Sequence, residues 1–300
     1  MKFSKNPSMR RAITKRLIGY PLFFGVLYLV ACFWLAHTYL SPPRHVPNTP
    51  GVMRDVTLPT SAGPDPAWAT PGLADGHPKG KLVFVLAHGY GGTRATWDGF
   101  VEDLQRAGYE AVAPAMPGHD ASPDTTVGFG FKEADVVVDA VRWARSRYPA
   151  AHQPRIILMG VSLGGSACWL ASERIPDQVD AVITEGAFAR FDKTVDYWFE
   201  RILPHGSTLF RPVVLMAGAM GGIDPNSIRP VDAAAKWRKP ALVMEGGFDV
   251  TISRPNADQL SAAAHCPLWV VPNALHARCY QTDRKGYVAH VLAVARSVGG

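Results

Sequence analysis

The chain has 300 residues, 47% of them hydrophobic and 19% charged, which is enough apolar material for a full core and excludes a disordered chain. The net charge is +6, but six cations (Lys2, Lys5, Arg10, Arg11, Lys15 and Arg16) lie in the first 16 residues, ahead of any acid, and beyond them 25 basic residues balance 25 acidic ones. That distribution leaves no basic footprint for a nucleic acid.

Residues 1–16 read as a basic cytoplasmic tail. From Leu17 to Leu40 no Asp, Glu, Lys or Arg interrupts a run rich in Leu, Phe, Val, Tyr and Trp. At about 1.5 Å per residue this run reaches about 36 Å, longer than the roughly 30 Å of a hydrocarbon core. With the basic flank kept in the cytoplasm, the expectation is a single-pass signal anchor that places everything after residue 40 outside the cytoplasm. The sequence carries no N-x-[ST] sequon, which agrees with the periplasmic side of a bacterial envelope. A cleaved signal peptide is the weaker alternative, because the run is long and no A-x-A site follows it. Leu29-Val30-Ala31-Cys32 resembles a lipoprotein box that would lipidate Cys32, but Phe33-Trp34-Leu35 continue the apolar run where polar residues are usual.

Residues 41–80 hold nine prolines and little periodicity, as expected of a stiff, extended tether, with an edge strand over Val52 to Leu58. Cys32 falls in the anchor, Cys168 on a core face, and Cys266 and Cys279 at opposite ends of a strand-loop unit, so the four cysteines give no disulfide framework. No C-x-x-C or His/Cys cluster points to a metal, and no motif points to an organic cofactor.

From Lys81 to the end, strands and helices alternate, the pattern of a mostly parallel sheet covered on both faces. Leu82 to Leu86 is a buried strand running into His88-Gly89-Tyr90-Gly91-Gly92. A helix follows with Trp97, Phe100, Val101 and Leu104 on one face, closed by Gly108. Next come the strand Ala111 to Ala113, a turn through Gly118-His119-Asp120, and a helix from Lys132 that stops at Tyr148 before Pro149.

Ile156-Ile157-Leu158-Met159 then leads into Gly160-Val161-Ser162-Leu163-Gly164-Gly165. Glycines two before and two after a serine allow a turn tight enough to lift Ser162 clear of the sheet in a strained conformation with its hydroxyl exposed. Gly164, Ala167, Cys168 and Ala171 mark the helix beyond. After a strand at Ala181 to Thr184, residues 191–230 break the alternation with Tyr197, Trp198, Phe199 and Phe210, and read as a small helical lid over the serine. Alternation resumes with the strand Ala241 to Glu245, a helix from Asn256 to His265, the strand Leu268 to Val271, and a last helix bearing Val288, Val291, Leu292 and Ala295.

These features, in this order, resemble the α/β-hydrolase superfamily over roughly residues 80 to 298, and most of all its single-domain esterases and serine aminopeptidase-like hydrolases with a short lid. The resemblance implies that Ser162 is a nucleophile, that His276, in the loop after the last strand, is its base, and that Asp249, in Gly246-Gly247-Phe248-Asp249, orients that base. Glu185, just past the preceding strand, is the rival acid. The resemblance further implies an oxyanion hole made by the backbone N–H groups of Tyr90 and Leu163, and it makes His88 and His119 structural.

The expected activity is cleavage of a small or lipid-like carboxylic ester, the apolar pocket being supplied by the lid aromatics with Met216 and Met220. A peptidase, thioesterase or acyltransferase with the same residues is the nearest alternative, and a non-catalytic envelope binding protein is the alternative from another class.

Overall fold

The computed structural model describes residues 7–60 and 63–299. The first six residues of the basic tail lie outside the described residues. Helix α1 (Pro7–Leu40) contains the whole apolar run, and Leu17–Leu40 is long and apolar enough to cross a membrane by length and composition.

Beyond it the elements run β1 (Arg54–Thr60), β2 (Gly63–Ala69), α2 (Pro71–Ala74), β3 (Leu82–Ala87), α3 (Asp98–Arg106), β4 (Glu110–Pro114), α4 (Phe131–Ser146), β5 (Arg155–Val161), α5 (Leu163–Arg174) and β6 (Ala181–Glu185). The lid follows as α6 (Phe191–Ile202), α7 (Gly206–Leu209) and α8 (Arg211–Gly221). The chain then ends through α9 (Pro230–Lys236), β7 (Ala241–Gly246), α10 (Pro255–Ala264), β8 (Leu268–Val271), α11 (Cys279–Thr282) and α12 (Arg284–Gly299).

The strands form one sheet in the order β1-β2-β4-β3-β5-β6-β7-β8. β1, β2 and β4 pair antiparallel, and from β4 to β8 every pairing is parallel. Strict alternation along the central strands gives each sheet face its own core. Val83 and Val85 of β3, with Ile156 and Leu158 of β5, pack against α4, α5, α9 and α10, where Val137, Trp169, Ala234 and Leu260 meet them. Phe84, Leu86, Ile157 and Met159 point the other way, toward Phe100 and Leu104 of α3 and Tyr287 and Val291 of α12. A third apolar cluster joins the end of α1 to the lid and to Leu163.

The expected tether departs from the structure. An edge strand was expected over Val52 to Leu58, in a segment otherwise extended up to residue 80. Instead β1 and β2 form a hairpin that extends the sheet, so the globular unit starts near Arg54 rather than at residue 81. The prolines that disguise it do little harm there. Pro59 and Pro64 face each other near the hairpin end, and Pro66, just before the stretch Ala67 to Ala69 that pairs with β4, still accepts the Ala115 N–H through its carbonyl at 2.9 Å. The hairpin is locked by Arg94, which stacks over Trp68 at 4.8 Å and forms a buried two-pronged pair with Asp120 at 2.9 and 3.0 Å. Residues 41–53 are not free either, since Arg44 donates to the carbonyls of His119 and Asp120.

Candidate active site

Ser162 stands between β5 and α5 at φ 53°, ψ −121°, a conformation an L-residue holds only when its surroundings impose it. The flanking glycines are what allow it. A Cβ on Gly164 would overlap the carbonyl of Ala87, and one on Gly160 would overlap the backbone of Gly164. The strand-turn-helix therefore closes only with bare backbone at both positions, and the Ser162 N–H is tied to the Glu185 carbonyl at 2.7 Å.

Asp249 and His276 come from the loops after β7 and β8, neighbouring strands whose carboxyl ends lie beside that of β5 across β6. The structure brings the three side chains into line. His276 Nε2 lies 2.8 Å from Ser162 Oγ, and His276 Nδ1 lies 2.6 Å from Asp249 Oδ2. With Nδ1–H donating to the carboxylate, Nε2 is left to accept the serine proton. The other Asp249 oxygen accepts the N–H groups of Thr251 at 2.8 Å and Ile252 at 3.0 Å, so the fully buried carboxylate is fixed at both ends. Gly186, at φ +58°, leaves room for the ring, since a Cβ there would sit 3.2 Å from it.

Glu185 does not reach this line. Its Oε1 accepts the Cys279 N–H at 2.8 Å, and burial pushes its carboxyl above the usual range. Glu245, unremarked in the sequence because it ends an ordinary strand pattern, is buried behind the site beside Asp249. Burial first, then the negative Asp249 nearby, push it up to about 9. It therefore keeps its proton at neutral pH.

Of the two groups expected as oxyanion donors, Leu163 opens α5, where an N–H has no acceptor within its own helix. Tyr90 sits in the turn Gly89–Gly92, closed by Gly92 N–H to Gly89 O at 3.0 Å. That turn abuts Ser162: a Cβ on Gly89 would lie 3.1 Å from Ser162 Cβ. His88 is structural. It is buried, its Nδ1 bonds the Gly89 carbonyl at 2.9 Å, its Nε2 accepts Met116 N–H at 3.3 Å, and burial pulls it down to about 4, keeping it neutral. His119 likewise bonds backbone, at Pro117 O.

In front of Ser162 and His276 a cleft of about 270 Å³ is walled by Tyr39, Phe129, Leu163, Phe188, Phe191, Trp198 and Ile252. Of the four lid aromatics expected to supply the pocket only Trp198 walls this cleft, while Tyr197, Phe199 and Phe210 do not, and Tyr39 at the end of α1 joins it, a place nothing in the sequence signals. The lid is tied to the acid turn by Trp198 Nε1–H donating to Thr251 O at 2.7 Å. Met216 and Met220 do not wall this cleft. The four cysteines are free.

Residues 83–208 match the family described as alpha/beta hydrolase fold. The chain has the α/β-hydrolase fold. Among curated relatives, it is 36% identical to Esterase PIR7B of Oryza sativa subsp. japonica over 182 residues, 58% of this chain and 66% of that protein. It is 34% identical to mouse Protein ABHD8 over 104 residues, 34% of this chain. The chain spans about 22% of the length of that relative and 38% of Probable esterase PIR7A from rice. Among solved structures, the Pyrococcus furiosus esterase Pf2001 superposes with a TM-score of 0.69 at 20% identity over 87% of this chain and all of the other. An esterase from Thermogutta terrifontis superposes with a TM-score of 0.60 at 17% identity over 82% of this chain. At those identities the likeness is one of fold.

Proposed function

We propose that this chain is a membrane-anchored serine hydrolase that cleaves carboxylic esters through an acyl-Ser162 intermediate. The observation that carries the proposal is the unbroken relay from Ser162 Oγ to His276 at 2.8 Å and on to Asp249 at 2.6 Å, opening onto an apolar cleft. The esterase names of PIR7B and Pf2001 favour an ester over an amide or thioester.

As Oγ attacks the ester carbonyl, its proton passes to His276 Nε2 and Asp249 stabilises the imidazolium. The carbonyl oxygen becomes negative in front of the N–H groups of Tyr90 and Leu163, the latter aided by the start of α5. The carbon–alkoxy bond then breaks, and His276 returns the proton to the departing alcohol. Water attacks the acyl-serine with His276 again taking a proton, and release of the carboxylic acid restores the hydroxyl. Glu245, neutral behind the acid, adds no second negative charge to the cluster. Leu17–Leu40 anchors the chain with the catalytic unit outside the cytoplasm, as the charge-free run and the basic residues before it favour.

A fluorophosphonate probe tests the proposal. The chain is expected to label at Ser162, with labelling lost in Ser162→Ala, whereas a binding scaffold on this fold does not react. Hydrolysis rates across p-nitrophenyl esters, aminoacyl arylamides and acyl thioesters then separate esterase from peptidase and thioesterase.

A further inference from the structure

The cleft is walled in part by the chain's own apolar helix, and the lid runs along that helix. Cys32, Ala36 and Leu40 recur every fourth residue on one face of α1 and are buried in the cluster that holds Phe199 of α6 and Val213 of α8. One turn before Cys32, the Tyr28 hydroxyl donates to the Leu209 carbonyl at the lid tip. At the other end Gly221 approaches so closely that a Cβ there would meet Leu40 at 3.0 Å. From Tyr28 to Leu40 is about 18 Å of helix, roughly half of the 36 Å apolar run, so the lid accompanies α1 along half of its candidate span. The end of α1 is also bonded into the site: Tyr39 O accepts the Tyr90 hydroxyl at 3.0 Å, and Leu40 O accepts Val127 N–H at 2.8 Å.

The outer surface of this assembly is apolar with a basic fringe. Ile202, Leu203, Leu209 and Leu215 are exposed on the lid, and Val30, Phe33 and Trp34 are exposed on α1. Arg201, His205 and Arg211 are exposed beside them, and the nearby acid, Glu200, is occupied by the N–H groups of His205 and Ser207. Facing water, such a surface is an unfavourable apolar patch. Facing a leaflet, its leucines reach acyl chains.

We propose that the lid tip is seated in the outer leaflet beside α1, and that the cleft takes a long-chain acyl ester directly from that leaflet. A second pocket, between Tyr39, Phe199, Val213 and Ala217, lies where lid and α1 meet. Tyr39, Phe129, Phe191 and Trp198 wall both this pocket and the cleft over Ser162, so on this proposal the acyl chain passes between them. This inference rests on the anchored ester-hydrolase reading above.

The test uses the full chain in vesicles of phosphatidylethanolamine and phosphatidylglycerol, with a nitroxide on Leu203→Cys or Leu215→Cys, and on Lys285→Cys as an outside reference, all in a Cys266→Ser background. Collisions with oxygen are expected to exceed those with a water-soluble nickel chelate at 203 and 215, and the reverse is expected at 285; nickel predominance at 203 and 215 overturns the seating. In a Leu209→Ser/Leu215→Ser double variant, the rate on p-nitrophenyl palmitate in the vesicles, divided by the rate on aqueous p-nitrophenyl acetate, is expected to fall at least tenfold; an unchanged ratio overturns entry from the leaflet. Circular dichroism and a cooperative thermal transition report that each variant is folded. The collision readout requires no catalysis, so a chain that fails to label at Ser162 refutes the hydrolase reading while the seating is still measured.

Discussion

The two sides of Ser162 are built differently. Behind it, on the sheet side, position is set by backbone: a serine at positive φ between two glycines, a carboxylate gripped by two N–H groups, an imidazole over Gly186. In front, position is set by side chains, with α1 and the lid held together by an apolar cluster and a few bonds such as Trp198 to Thr251. Backbone constraint tolerates almost no change, whereas side-chain packing tolerates gradual change. On the function proposed above, the chemistry belongs to the rigid side, and substrate access and preference belong to the adaptable one.

The sharpest way to break that comparison is on the rigid side. Asp249→Asn keeps the shape but no longer holds the His276 tautomer, and is expected to lower kcat by about 10⁴-fold; steady-state rates with a matched folding control check it, and a loss below tenfold contradicts it. Gly164→Ala places a methyl group on the Ala87 carbonyl and is expected to cost about 4 kcal/mol or more, or to prevent folding, as measured by denaturant unfolding. A stable variant shows that the elbow is adaptable after all.

Smaller effects sharpen it. Glu245 is raised from 4.5 to about 9, so the folded state keeps a proton that the unfolded chain releases above about pH 4.5. Its contribution to stability is complete below pH 4.5 and declines as pH rises toward 9. Glu245→Gln is expected to remove that decline, so melting temperatures of variant and native chain should diverge in the variant's favour between pH 5 and pH 8.5. Parallel curves contradict a protonated Glu245. Last, Trp198→Phe deletes one lid bond and is expected to cost only about 0.5–1.5 kcal/mol, with a rise in KM larger than any fall in kcat. A kcat loss comparable to that of Asp249→Asn erases the distinction between the two sides.

The same difference explains what the sequence discloses. The elbow, the acid turn and the histidine loop are legible because each lies at a strand end and needs particular residues there, so Gly160, Gly164, Asp249 and His276 stand out from their surroundings. The lid is legible only as an interruption of the alternation, since Phe191 or Trp198 packs equally well in any core. The hairpin β1–β2 is hidden because Pro59, Pro64 and Pro66 read as loop when their strand partners are unknown. Tyr39 and Glu245 are hidden for a related reason: each completes an ordinary helix or strand pattern, and its importance comes only from what the fold sets beside it.

The most direct measurement is acid quenching of the chain during turnover of p-nitrophenyl butyrate, followed by digestion and mass spectrometry. A butyryl group on the hydroxyl of Ser162, absent from Ser162→Ala together with the turnover, is the expected result. Turnover that persists in Ser162→Ala, or an acyl group found only on another residue, contradicts the nucleophile at the centre of the site.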